Sequence, residues 1–126
     1  MKLHAQSMGR AGEYFAAYVL EANGIETHRV DVHYSDLWCR VRETLHMVEV
    51  KSVSSPKAYA KAVTPRYHFN ISGNKKGWYC FVALDRQLLL LRPVSEIRGK
   101  TSFSLAVEEF NAENQRRTIE NFLESC

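Results

Sequence analysis

No two cysteines in this chain stand close enough to clamp a metal or suggest a bridge. Cys39, Cys80 and Cys126 are odd in number and far apart, and the absence of any CxxC pair excludes a zinc knuckle and a disulfide framework. The five histidines show no HExxH or similar ligand spacing; they read as ordinary strand or surface residues, one of them a candidate neighbour of a phosphate. No apolar run approaches the ~20 residues needed to cross a bilayer. The opening MKLHAQSMGR lacks the apolar middle of a signal peptide. The expected location is therefore the cytoplasm, of a cell or of a virus's host, with no membrane partner. A linker rich in Pro, Gly or Ser, an internal repeat and a low-complexity tract are missing too, so the 126 residues are expected to form a single domain. With 45% hydrophobic and 25% charged residues, a chain of this length can bury one core unaided.

Acidic residues are absent from Val50 to Leu84, a span that carries Lys51, Lys57, Lys61, Arg66, Lys75 and Lys76. The net charge of +3 understates this block, because the C-terminal part is acidic, with Glu108, Glu109, Glu113, Glu120 and Glu124 against Arg116 and Arg117. A one-signed stretch of this kind fits a polyanionic partner, and nucleic-acid phosphate is the first candidate.

The apolar pattern predicts a helix over 8–23, with the stripe Phe15, Ala16, Val19 and Leu20, Ser7 as N-cap and Asn23-Gly24 as its stop. IETHRV (25–30), DLWCRVR (36–42) and LHMVEVKS (45–52) read as strands, the last two joined as a hairpin at Glu43-Thr44. A loop or short helix with Pro56, Lys57, Lys61 and Pro65 follows, then a strand RYHFNIS (66–72) and a turn from Gly73 to Gly77. WYCFVALD (78–85) has the continuous apolar character of a strand buried on both faces, and QLLLLRP reads as its partner. A helical turn from Pro93 to Arg98 and an amphipathic helix over 105–124 close the chain, with Leu105, Phe110, Ile119, Phe122 and Leu123 as core contacts. The predicted class is α/β, a mixed sheet flanked by helices.

The stretch MVEVKSVSS (47–55) carries the chemistry. Glu49 and Lys51 are two apart, so on a strand they share a face, where an acid and an ammonium are costly unless used. If the preceding strand pairs as a hairpin, Asp36 at its start approaches Glu49. Two carboxylates there, with the Val50 carbonyl, make a hard-oxygen site of the kind Mg²⁺ takes, with Mn²⁺ as a substitute. Such a metal activates a water and neutralises a phosphodiester oxygen, and Lys51 orients the water or balances developing charge.

Asp36, a gap, then Glu49-Val50-Lys51 resembles the PD-(D/E)XK nuclease superfamily, whose fold is restriction endonuclease-like, an αβββ-αβ core. Gly9-Arg10-Ala11-Gly12-Glu13 looks like the N-terminal helix of archaeal-type Holliday junction resolvases, and YHFNISGNKKGWYCFVALDRQLLLLRPVSEI resembles the second half of small endonucleases of the superfamily. The resemblance implies that Glu13 reaches the metal, so the implied catalytic set is Glu13, Asp36, Glu49 and Lys51, with Glu13, Asp36, Glu49 and Val50 as metal ligands. The proline of the motif is Ser35 here, which makes Asp31 a rival to Asp36; Asp36 is preferred because an apolar strand starts directly after it. Candidate nucleic-acid contacts are Arg10, Ser52, Lys57, Lys61, Arg66, Lys75 and Lys76, with strand-end capping the favoured role for Ser52.

The leading expectation is a Mg²⁺-dependent DNA endonuclease that is resolvase-like. The chain is little more than a core fold, and a junction is read by shape, with two sites in a homodimer. The alternative keeps the chemistry and cuts duplex DNA at a sequence, as a homing or restriction-type endonuclease, with 53–66 and the Gly73–Gly77 turn as readers. A non-catalytic nucleic-acid-binding module is the third.

Overall fold

The computed structural model describes residues 4–32, 35–58, 64–71, 76–97 and 99–126. Lys61, Lys75 and most of the expected Gly73–Gly77 turn lie outside them. Helix α1 (Ala5–Ala22) is followed by strands β1 (Glu26–Val32), β2 (Ser35–Val41), β3 (Thr44–Val53), β4 (Arg66–Asn70), β5 (Trp78–Ala83) and β6 (Leu88–Pro93). A 3-10 turn (Val94–Ile97), strand β7 (Ser102–Ala106), a second 3-10 turn (Val107–Glu109) and helix α2 (Ala112–Ser125) complete the chain. The main sheet has the order β1-β2-β3-β5-β6, and β4 pairs with β7 in a separate two-stranded sheet. Every pairing is antiparallel except β3 with β5. This is the mixed sheet flanked by helices that the sequence pattern predicts.

β5 is the spine. Its residues alternate between two cores, so both faces are covered and the strand reads as continuous apolar sequence. Cys80 and Val82 join α1, β2 and α2 residues such as Leu20, Leu37 and Phe122 on one side. Tyr79, Phe81 and Ala83 join Tyr67, Phe69, Leu105 and Phe110 on the other. Edge-on and stacked rings knit the second core: Phe69 and Phe103 lie 4.8 and 5.0 Å from Phe81, and Phe110 lies 4.9 Å from Tyr67. α2 covers the outer edge of β6, where Gln115 Oε1 and Thr118 Oγ1 accept the Leu89 and Leu91 N–H groups at 2.9 and 3.3 Å. That removes an exposed row of strand donors.

The β2–β3 hairpin turns on Arg42 and Glu43, both at positive φ (50° and 65°), one residue earlier than the expected Glu43-Thr44 link. The turn aims Arg42 at α2, where Nη1 donates to the carbonyls of Leu123 and Cys126 at 2.7 and 2.9 Å. These are orphan carbonyls at the negative end of the helix, so a guanidinium satisfies both bonding and dipole.

Two helix expectations need correction. α1 begins at Ala5, not near Met8, and its N-cap is His4 with no side-chain bond; Ser7 sits inside the first turn, its Oγ accepting from Arg10 at 3.4 Å. At the other end, Leu105 belongs to a strand. The alternation Phe103-Ser104-Leu105 matches β4, with Tyr67 opposite Leu105, and helix α2 starts only where Asn111 Oδ1 accepts the Asn114 N–H at 2.8 Å. Phe110, fully buried, packs from the linker between β7 and α2, whereas Ile119, Phe122 and Leu123 pack from the helix as expected.

α1 lies on the sheet with Gly12, Ala16, Val19 and Leu20 inward. Gly12 permits the contact: a Cβ there would clash with Ser52 Oγ and lie 2.8 Å from Ser52 Cβ. Gly12→Ala is expected to destabilise the fold by about 1–3 kcal/mol, the usual range for overpacking, read as a lower thermal midpoint. Ser52→Gly should restore part of that loss in the double variant, since the two residues share one contact. A wild-type midpoint in Gly12→Ala would mean that α1 does not sit this close to β3.

Candidate active site

The β2–β3 ladder runs from Val41↔Thr44 to Leu37↔Val48 and goes no further, while β3 continues beside β5 from Val48↔Trp78 to Val53↔Ala83. The sheet therefore forks at Glu49. Asp36 is one register step beyond Leu37, across from Glu49. Its Oδ2 accepts the Val50 N–H at 2.8 Å, where a strand partner would otherwise bind. In extended backbone the N–H and C=O of one residue point the same way, so the Val50 carbonyl faces this gap as well.

Alternation sorts the side chains of β3. Val48 and Val50 pack toward α1, while Glu49 and Lys51, in register with Tyr79 and Phe81, take the opposite face. Glu49 is only 8% exposed, and its Oε2 is held by Lys51 Nζ at 3.0 Å. Glu13 comes from α1, with Oε1 bound to Arg29 Nη2 at 3.0 Å; Arg29 also lies 4.2 Å over the Tyr14 ring. Arg29 was not singled out by the sequence pattern. Its only signal is that β1 alternates, which turns residue 29 to the helix side, opposite Leu37.

Asp36 is the point where these groups meet electrically. Burial raises its carboxyl above the usual aspartate value, the Val50 N–H opposes that rise, the charges of Glu13 and Glu49 add to it, and Lys51 works against it. Three acids and an amine thus fall within one field. They do not form a closed ligand cage: among the described residues no three His, Cys, Asp or Glu stand close enough to hold a metal ion. Glu13 is taken up by Arg29 and Glu49 by Lys51, whereas Asp36 has no ion pair among the described residues. The donors facing the fork, two carboxylates and a carbonyl, are all oxygens, the type a hard divalent cation takes. Asp31, the rival acid, lies on β1 at the register shift between Arg29 and Val32, one strand further from β3.

The expected nucleic-acid contacts are scattered around this fork. Arg10 is exposed on α1, and Lys76 is exposed just before β5. Lys57 is exposed, and its backbone bridges Arg66 through bonds of 2.9 and 3.0 Å. Arg66 is half-buried and donates to Ser104 Oγ and O at 3.1 and 3.3 Å. Ser52 is half-buried and does not cap the strand: its Oγ is shielded beneath Gly12 and has no hydrogen-bond partner among the described residues. The two buried thiols are inert, Cys39 raised to about 11 by burial and Cys80 further still.

No protein-family model matches this chain, and no curated protein matches it in sequence. Among solved structures, a bacterial homing endonuclease, I-Ssp6803I, superposes with a TM-score of 0.74 over 98% of this chain and 94% of that one, at 16% sequence identity. The likeness is one of fold, and it extends over nearly the whole of both chains.

Proposed function

We propose that this chain is a metal-dependent DNA endonuclease that cuts duplex DNA at a sequence, in the manner of homing or restriction-type enzymes. The observation that carries the reading is the fork: Asp36, Glu49 and Lys51 gathered where two strands part, with Glu13 in the same field. A fold shared end to end with a homing endonuclease favours a duplex target over the resolvase-like one, which finds no matching support. The short basic segments between β3 and β5 are then the readers of base edges.

Asp36, Glu49 and the Val50 carbonyl would hold Mg²⁺ or Mn²⁺, with Glu13 as a further acid toward the same cation. When bound, the cation supplies an activated water and neutralises the phosphodiester. Lys51 holds Glu49 in place and offers its other N–H donors to the attacking water or to the charge growing on phosphate. Burial of Glu49 keeps bulk water from competing for it. Two antiparallel strands call for two sites, so a two-fold dimer accompanies the reading, measurable by light scattering.

The test is cleavage of a duplex library in Mg²⁺, beside a four-way junction. Lys51→Ala is expected to lose about 10²–10³-fold in rate, as for removal of one transition-state donor, with DNA binding kept. Cleavage of varied junctions without duplex cutting would reverse the choice of substrate, full activity in Lys51→Ala would remove Lys51 from the chemistry, and a wild type that cuts neither substrate in Mg²⁺ would end the nuclease reading.

A second expectation concerns stability. The raised value of Asp36 means that the folded state binds its proton more tightly than the unfolded chain does. Its contribution favours folding at pH below the usual aspartate value and is lost as pH rises through the raised one. Asp36→Asn keeps an oxygen for the Val50 N–H and removes the charge. It is expected to raise the thermal midpoint at neutral pH, with the gap to wild type closing toward pH ~3.9 and below. Mg²⁺ or Mn²⁺ should raise the midpoint of wild type and leave Asp36→Asn unmoved; an equal rise in both would remove Asp36 from the metal.

A further inference from the structure

Past the fork, the carboxyl end of β3 opens into a cavity of about 220 Å³, walled by Ser54, Ser55 and Lys57 after the strand, His68 and Asn70 of β4, and Met8 of α1. At ~30 Å³ per water this is roughly seven water volumes. Among the described residues no carboxylate lines it, and every polar side chain on its wall can donate a hydrogen bond. The alternation of β4 explains the wall: Tyr67 and Phe69 go to the core, so His68 and Asn70 face outward. The paired backbone bonds between Lys57 and Arg66 hold the segment after β3 against β4, which keeps Lys57 and the two serines at the rim. The amino end of α1 adds to the field. It has no acid in its first turn and no side-chain cap, so its positive end meets no local counter-charge among the described residues.

We infer that this pocket is a phosphate subsite, which takes a backbone phosphodiester of nucleic acid next to the one held at Lys51. The inference rests on the endonuclease reading for its ligand and, for its chemistry, on a wall rich in donors with no carboxylate among its described residues. Ser54 stands three residues after Lys51, just past the end of β3, so the pocket adjoins the fork.

Inorganic phosphate titrated into the wild-type protein, followed by amide NMR, is expected to shift Ser54, Ser55, His68 and Asn70 saturably; unmoved pocket amides would overturn the subsite. A short duplex is the second probe, with affinity measured against salt. Lys57→Gln should weaken binding several-fold and reduce the magnitude of the salt slope by about 0.9, the value for one phosphate contact. An unchanged slope would overturn the assignment to DNA. If phosphate shifts the pocket but wild type binds no DNA, the site is one for free phosphate, and the nucleic-acid part of the inference is wrong. If wild type binds DNA with the Lys57-dependent slope yet never cuts, the subsite stands and the endonuclease reading falls.

Discussion

Where β2 stops pairing with β3, the Val50 N–H bonds to the Asp36 carboxylate at 2.8 Å instead of to a ladder carbonyl. A strand that loses its neighbour exposes polar backbone, and unpaired backbone away from water is costly. A side-chain acceptor from the departing strand removes that cost for the N–H while leaving the carbonyl facing the gap. The same bond fixes Asp36 next to Glu49 on one face of the sheet. A widened gap, an available oxygen and two adjacent acids thus follow from one substitution of side chain for backbone. β3 continues with β5 as its ladder partner among the described residues, and both faces of β5 are buried.

Much of this was legible from alternation. A strand with acid and lysine two apart, a hairpin before it and an aspartate at the hairpin's far end leave few registers, and the observed one puts Asp36 across from Glu49. The run 78–85 read as a doubly buried strand because no polar residue interrupts it before Asp85. What stayed hidden depended on partners distant in sequence. Leu105 and Phe110 have the apolar character a helix wants, but β4 offers Phe103 and Leu105 a strand to pair with, and the Asn111 cap stops the helix from reaching back. Ser52 looked like a strand end from its neighbours; only the approach of Gly12 from α1 reveals why a small residue stands there. Arg29 was invisible for the same reason, since nothing near it in sequence names Glu13 as its counter-ion.

Each outer acid has its own cation: Arg29 for Glu13, Lys51 for Glu49. These pairs make a buried glutamate tolerable, because a carboxylate away from water needs a counter-charge and donors. The pairs differ in exposure. Glu49 is the more enclosed, so Lys51 lies closer to the interior and is the harder to replace; the Glu13–Arg29 pair is nearer to solvent and is screened by it. On the proposed reading, a divalent cation at the fork would compete with Arg29 on easier terms than with Lys51.

Asp36 is left with an amide where its neighbours have cations, and it feels the charge of both. A structure built only for stability has no use for such a group, since an uncompensated, half-buried charge works against folding. The two cores around β5 offset it: Tyr67, Phe69, Phe81, Phe110, Leu90 and Leu105 on one side and Leu20, Leu37, Val48, Leu89 and Phe122 on the other are fully or almost fully withdrawn from water, each contributing about 1.5–3 kcal/mol of burial. Strain kept at a site and supported from elsewhere is the usual mark of function. Here the strained group sits between two acids that already have partners and beside a backbone carbonyl. On the proposed reading a hard divalent cation would supply the counter-charge, since the acceptors gathered here are oxygens.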